Sequence, residues 1–371
     1  MRSVLVTGAK GFIGKNLVSH LKARSDLSVI EFDTESSESD LDEAIEKADY
    51  IYHLAGVNRP VATADFDKGN FEFTEMLLAK IKAANRNPIL IMSSSTQAVL
   101  DNPYGVSKKK AEVSLMLYKK ERQANVFIYR LTNVFGKWAR PNYNSVVATF
   151  CYRATRGEPL VVDDVNKVLD FVYIDDVIKS FANIIDNVEP ENIGGFAIVS
   201  PTYSVLLKDL ANKIISFQKI RVNSTIPDFA NLFDKYLYST YLSYLDSSEL
   251  SYPVAKKEDA RGYLFELIKS VHAGQIFVSR TNPGITRGNH FHHSKVEKFC
   301  VIEGAAKITF RNENTNEVVE YLVEGKDCKV VDIPPGWAHN ILNMGKTDLL
   351  TIFWSNEIFD QNKPDTYFAE V

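Results

Sequence analysis

Near residue 250 the hydrophobic rhythm of the chain changes. From residue 1 to about 215, short β-branched runs alternate with helical patterns, the signature of a parallel sheet covered by crossover helices. The runs 4–6, 29–32, 50–54, 89–92 and 126–129 are almost wholly apolar, as strands buried on both faces require. Ile13, Leu17 and Leu21 recur at four-residue spacing, and Phe73, Leu77, Lys80, Ile81 and Ala84 mark another helix. Beyond residue 250 the pattern is all strand, with runs at 275–278, 299–302, 307–310, 318–323, 329–333 and 349–354 spaced as in a barrel or sandwich. At 371 residues the chain also exceeds the ~250–300 that one core sustains. Two domains are expected, 1–243 and 255–371, joined by a linker over 244–254. The aromatic stretch before that linker (Phe229, Phe233, Tyr236, Tyr238, Tyr241, Tyr244) reads as helix packing or a subunit contact.

Lysine and arginine total 43 against 47 acidic residues, a net charge of −4, which argues against a protein that coats nucleic-acid phosphates. Cys151, Cys300 and Cys328 are too far apart for a disulfide framework or a paired zinc site, and no run approaches the ~18 apolar residues of a membrane span. A cytoplasmic protein with no membrane partner is expected. Five of the seven histidines (His272, His290, His292, His293, His339) lie from residue 272 onward.

Thr7-Gly8-Ala9-Lys10-Gly11-Phe12-Ile13-Gly14 follows a strand and opens a helix, so that backbone N–H groups can approach a pyrophosphate at the positive helix end. Asp33, at the end of the second strand, stands near the ~20-residue offset of the acid that binds an adenosine ribose. In Tyr104-Gly105-Val106-Ser107-Lys108 the phenol and the ammonium share one helix face, a pairing that favours the ionised phenol and suits it to proton transfer. The same spacing at Tyr252 and Lys256 includes Pro253 and follows no strand end, so it reads as coincidence. Before Tyr104 stands a hydroxyl-rich strand tip, Ser93-Ser94-Ser95-Thr96, able to hydrogen-bond a carbonyl. In the second half, His290-Phe291-His292 on a strand directs two imidazoles to one face, as a metal site needs.

These motifs, with His53-Leu54-Ala55-Gly56, Asn70, the run from Arg130 to Gly136 and that from Asp170 to Val177, resemble the extended short-chain dehydrogenase/reductases that act on nucleotide sugars. The resemblance implies a Rossmann-type parallel sheet, Tyr104 as acid/base, and Lys108 lowering its pKa. It makes Thr96 the hydroxyl partner, with Ser94 or Ser95 as alternatives because the loop to Tyr104 is short. Gly8, Lys10, Gly11, Phe12, Ile13, Gly14, Asp33, Leu41, Leu54, Ala55 and Gly56 would line the dinucleotide, and Asn133 the sugar nucleotide. Gln97 and Ala98 stand where 4,6-dehydratases carry an Asp-Glu pair, leaving reductase or 4-epimerase.

The second half resembles the cupin barrels. Gly284, His290, His292, Glu297 and Gly304, then Pro334, Gly336, His339 and Asn343, match that family's two motifs, with Cys328 in place of a glycine. By this resemblance His290, His292, Glu297 and His339 bind one divalent metal. The ligand set suits several metals, and zinc is preferred for a redox-silent sugar pathway. His293, out of phase, is expected to face solvent or serve as an alternate ligand.

The whole chain, including the runs Leu100–Gly105 and Asn362–Phe368, is similar to the bifunctional enzymes of capsular polysaccharide synthesis that fuse such a reductase to a cupin. That similarity implies a UDP-linked 4-keto-6-deoxy amino sugar as substrate, C3 epimerisation by the cupin, NADPH reduction at C4, and a homodimer. Asp33 favours NADH instead, with Lys10 the residue to meet a 2′-phosphate. An NAD-dependent 4-epimerase with a structural, dimerising cupin is the alternative.

Overall fold

The computed structural model describes residues 1–60 and 62–371. It divides into one unit of Met1–Ile214 with Tyr236–Leu245 and a second of Ile215–Lys235 with Asp246–Val371. In the first, β1 (Arg2–Thr7) leads to α1 (Phe12–Lys22), β2 (Leu27–Phe32) to α2 (Glu38–Lys47), and β3 (Tyr50–His53) to α3 (Ala64–Phe66). α3 continues through a π-helical stretch, Asp67–Glu72, into α4 (Phe73–Ala83). β4 (Ile89–Ser95) ends in a 3-10 turn, Thr96–Val99, before α5 (Pro103–Arg122) and β5 (Val126–Leu131). Then come β6 (Asn133–Phe135), α6 (Val146–Ala154), β7 (Val168–Tyr173), α7 (Ile174–Ile185), β8 (Asn192–Ile193), β9 (Phe196–Ala197) and β10 (Tyr203–Leu206); α8 (Leu207–Gln218) and α10 (Leu232–Leu242) each straddle the division, and α9 (Ile220–Asn223) falls in the second unit.

The main sheet runs β2-β1-β3-β4-β5-β9-β8, and its first five strands are parallel. Leu5, Ile51, Leu90, Met92 and Ile128 meet Leu41, Leu77, Ile81, Leu115 and Tyr118 from the helices in one core. Local chemistry sets the helix starts. Ser37 and Asp40 form a reciprocal capping box on α2, and Asn102 caps α5 with Pro103 in its first turn. The strand order reverses about β1, which places a crevice beyond the carboxyl ends of β1 and β3, where Thr7 and His53 are register partners. β10, β7 and β6 form a separate sheet that periodicity did not reveal, because β6 begins two residues after β5 ends. The aromatic stretch packs as helix: Tyr236 stacks on Tyr173 at 4.0 Å, and the Tyr244 hydroxyl donates to the Ala139 carbonyl at 2.6 Å.

The second unit is an all-β cupin-type barrel of two sheets. Its strands are β11 (Lys256–Asp259), β12 (Gly262–Ser270), β13 (Gly274–Thr281), β14 (Thr286–Phe291), β15 (Glu297–Glu303), β16 (Ala305–Asn312), β17 (Val318–Glu324), β18 (Val330–Ile333), β19 (Trp337–Asn343), β20 (Leu349–Ser355) and β21 (Tyr367–Phe368). One sheet runs β11-β12-β13-β20-β15-β18 and the other β17-β16-β19-β14-β21. Phe299, Val301, Ile308, Phe310, Ile333, Ile341 and Phe353 fill the space between them. Residues 215–235 group with this unit because Ile226 N–H donates to the Lys269 carbonyl and Lys269 N–H to the Ser224 carbonyl, at 2.8 and 2.7 Å. Cys328 has φ +47°, the left-handed conformation for which glycine is ordinarily selected, so its departure from the motif falls on a turn.

Candidate active site and metal centre

Gly8 turns the chain out of β1 with φ +68°, where a side chain would meet Ala55 N at 2.7 Å. A Cβ on Gly14 would lie 2.1 Å from the Gly8 carbonyl oxygen, so the loop folds flat on the start of α1. No side chain caps α1 at Gly11, which leaves its first-turn N–H groups open toward the crevice. The Asp33 carboxylate accepts N–H bonds from Lys10 at 2.6 Å and Thr34 at 2.8 Å, placing it beside the loop. The exposed Lys10 ammonium pairs with Glu35. This cradle of glycines and bare N–H groups, with an acid at its rim, fits a dinucleotide. Leu41 does not belong to it: fully buried, it packs with Leu5, Ile45 and Ile51 in the core, as its inward position on α2 dictates.

Tyr104 lies in the first turn of α5, half-buried, beside the end of β4. Burial raises its phenol above the ordinary value, with the Ser95 hydroxyl opposing. Lys108 is buried; desolvation takes its amine down to about 8 against the pull of Glu112, and its Nζ donates to the Ser93 carbonyl at 3.2 Å. Desolvation is the leading cause of both shifts. A Cβ on Gly56 would come within 3.0 Å of Lys108 Nζ, so the end of β3 closes against the lysine.

The hydroxyls separate by strand parity. Ser94 turns to the opposite face from Ser95 and donates to Glu112, which a bidentate Arg130 also holds at 3.0 and 2.6 Å. Its candidacy is corrected on that ground. Thr96 is exposed and opens the 3-10 turn, whereas Ser95 neighbours Tyr104. Gln97 is exposed and Ala98 buried, so neither supplies a carboxyl there. Asn133 is exposed at the start of β6, its amide donating to the Asp170 carbonyl at 3.0 Å.

One feature of this site lay outside the motif reading: a buried polar relay. The Thr74 hydroxyl donates to the Asn70 carbonyl at 2.6 Å, so it accepts from His53 Nε2–H at 2.9 Å, and His53 Nδ1 accepts from the Thr7 hydroxyl at 3.1 Å. The Asn70 amide then donates to Ser107 Oγ at 3.0 Å, whose proton goes to the Tyr104 carbonyl at 2.8 Å. The relay runs from the glycine loop to the helix that carries the tyrosine. Burial, with the charge of Lys108, takes His53 down to about 3, so it is neutral.

In the second unit, His290 on β14 and His339 on β19 are register partners across a bulge made by Gly288 and Asn289, both at positive φ. His292 follows β14 and Glu297 opens β15. Among the described residues these four place one ligand atom each within 4.8 Å of the others. His292 Nδ1–H donates to the Asp365 carbonyl at 2.6 Å and His339 Nδ1–H to the Trp337 carbonyl at 3.1 Å. Their Nε2 atoms are therefore bare; both are buried without a hydrogen-bond partner, 3.4 and 3.5 Å from Glu297 Oε2. Donors each ~2.1 Å from a shared tetrahedral ion stand about 3.4 Å apart, so these residues fit a divalent metal. Burial, with the neighbouring imidazoles, lowers His290 to about 4. His293 is exposed, its ring 4.6 Å from that of Tyr367, apart from the cluster.

Residues 4–195 match the NAD dependent epimerase/dehydratase family and residues 257–367 the polysaccharide biosynthesis C-terminal domain. Over 368 residues, 99% of this chain and 98% of the relative, the sequence is 41% identical to the UDP-2-acetamido-2,6-beta-L-arabino-hexul-4-ose reductase of Pseudomonas aeruginosa. The crystal structure of capsular polysaccharide assembling protein CapF from Staphylococcus aureus matches with a TM-score of 0.92 and 45% identity, over 99% of this chain and 100% of that one. UDP-glucuronic acid 4-epimerase from Bacillus cereus, 21% identical with a TM-score of 0.52 over 58% of this chain and 84% of its own, shares the fold. The chain belongs to the NAD dependent epimerase/dehydratase family, in the CapF-type architecture that joins such a domain to a polysaccharide biosynthesis C-terminal domain.

Proposed function

We propose that this protein is a UDP-4-keto-6-deoxy-sugar reductase of capsular polysaccharide synthesis. In this reading the second unit epimerises C3 of a UDP-2-acetamido-2,6-dideoxy-4-hexulose, and the first reduces the C4 ketone to UDP-N-acetyl-6-deoxy-L-talosamine. The observation that carries it is the grouping of Tyr104, Ser95 and Lys108 beside the glycine loop, in a chain similar along 99% of its length to a hexulose reductase.

NADPH, when bound, supplies the hydride. Tyr104 delivers a proton to the C4 oxygen, and its raised pKa suits that direction, because the phenol stays protonated at neutral pH. Ser95 holds the same oxygen, and Lys108 carries the charge that stabilises the phenolate left behind. The Lys10–Glu35 pair is exposed, so exchanging the carboxylate for a 2′-phosphate costs little. His290, His292, Glu297 and His339 would hold a zinc ion, which supplies Lewis acidity toward the keto sugar. A 4-keto group acidifies the neighbouring C3–H, which is what makes inversion there feasible.

The test is product NMR of the full-length protein with the candidate 4-keto sugar in deuterated water. One NADPH consumed per product and deuterium at C3 support the reading. Interconversion of the two C4-epimeric 4-hydroxy sugars, supplied in a second reaction without net cofactor consumption, identifies a 4-epimerase instead, and protium retained at C3 of the product of the keto sugar removes the epimerase step. Turnover with NADH equal to that with NADPH, unchanged in Lys10→Ala, removes the NADPH assignment.

A further inference from the structure

We propose that the segment Pro364–Phe368 is a strap that sets the metal centre, with Asp365 as the residue that positions His292. The inference rests on reading His290, His292, Glu297 and His339 as metal ligands.

A ligating histidine needs its second nitrogen held, so that the ring is oriented and the lone pair of the first is presented. For His292 that hold is the main-chain carbonyl of Asp365, 73 residues further along the chain. A loop carbonyl can orient a ring only if the loop is itself fixed, and the Asp365 side chain does this. Its Oδ1 accepts the N–H of His293 at 3.0 Å; its Oδ2 accepts the N–H groups of Ser294 and Lys295, both at 2.9 Å, and the Ser294 hydroxyl at 2.8 Å. One residue thus grips the three positions after His292 with its carboxylate and His292 itself with its carbonyl.

The rest of the strap agrees. Lys295, 3% exposed, donates from Nζ to the Pro364 carbonyl at 2.7 Å. His290 and Phe291 pair with Phe368 and Tyr367 in β21, and Ala369 N–H donates to the Asn289 carbonyl at 3.0 Å. The strap therefore touches the strand of one ligand and the loop of another. Its apolar anchorage is thin, since Phe368 is 80% exposed and Tyr367 47%. Asp365 has φ +37°, an unfavourable conformation for a residue with a side chain, which its bonds hold in place.

The test uses the full-length protein, its zinc content after dialysis, and zinc affinity by chelator competition. Wild type is expected to hold one zinc per chain; a wild type that takes up none removes the ligand reading itself, and the strap with it. Asp365→Ala is expected to lower affinity by about 10–100-fold, Asp365→Asn by less, and the exposed control Gln361→Ala not at all. The visible spectrum of the cobalt-substituted Asp365 variants should shift as the His292 ring loses its hold. Because Asp365 acts through His292, adding Asp365→Ala to His292→Ala should weaken binding no further. Two results overturn the proposal while leaving the ligand reading intact. One is a zinc-binding wild type matched within two-fold by both Asp365 variants; the other is an Asp365→Ala effect of equal size with and without His292. Circular dichroism checks folding, and Asp365→Asn carries the test if the alanine variant does not fold.

Discussion

His53 in the first unit and His292 in the second are equally sealed from solvent, each 2% exposed, yet they are built for opposite purposes. Both ring nitrogens of His53 end on threonine hydroxyls, so the imidazole is complete without any further atom. His292 has one nitrogen fixed by a carbonyl and the other bare, facing a carboxylate beside the equally bare Nε2 of His339. A buried polar atom without a partner is costly, and two beside one carboxylate form a group that could hold a cation. Satisfaction, more than burial or residue type, separates the two histidines. The first unit holds Tyr104 and Ser95 half-buried at the end of β4, whereas the second holds His292 and His339 buried.

The sharpest way to separate the two chemistries is Tyr104→Phe. It should reduce NADPH oxidation by about 10²–10⁴-fold while NADPH affinity, by fluorescence titration, and zinc content stay at wild-type values. Stripping the metal comes next. A chelator should lower the stability of the second unit by about 4 kcal/mol relative to protein in zinc at a thousand times its dissociation constant. His339→Ala should abolish that dependence in thermal unfolding, whereas His53→Gln should leave it whole.

The third is smaller. His53→Leu removes the partner of two buried threonine hydroxyls and should destabilise the first unit by about 1–3 kcal/mol, with zinc content unchanged; a neutral result in urea unfolding would make the relay incidental. The last effect is on pH. His53 sits at about 3 in the fold against an ordinary 6.5, so below pH 6.5 the unfolded chain binds a proton that the folded chain refuses. Its contribution to stability is complete above pH 6.5 and declines toward pH 3, by up to about 1.4 kcal/mol per unit. His53→Gln should flatten that part of the acid limb, read by denaturation at pH 5 and pH 7.

The glycine loop, the Tyr104–Lys108 pairing and the shared face of His290 and His292 were legible from spacing, because a turn, a helix face and a strand face each impose a local period, whereas Glu297 and His339 joined them only through the resemblance to the cupin motifs. Misreadings arose where side-chain direction mattered. Ser94 and Ser95 are adjacent letters on opposite faces, and Leu41 is an apolar residue whose helix turns it inward. For Tyr104 and Lys108 a helix period conveys charge proximity, but not desolvation, which depends on everything packed around both groups.

Periodicity and glycine placement give the two architectures and the crevice at the end of β1. Packing brings Ser95 to Tyr104, ties the loop to the helix through His53, Thr74, Asn70 and Ser107, and returns Asp365 to His292. Those contacts join residues up to 73 positions apart, and no local period encodes which distant groups packing will bring within hydrogen-bonding reach.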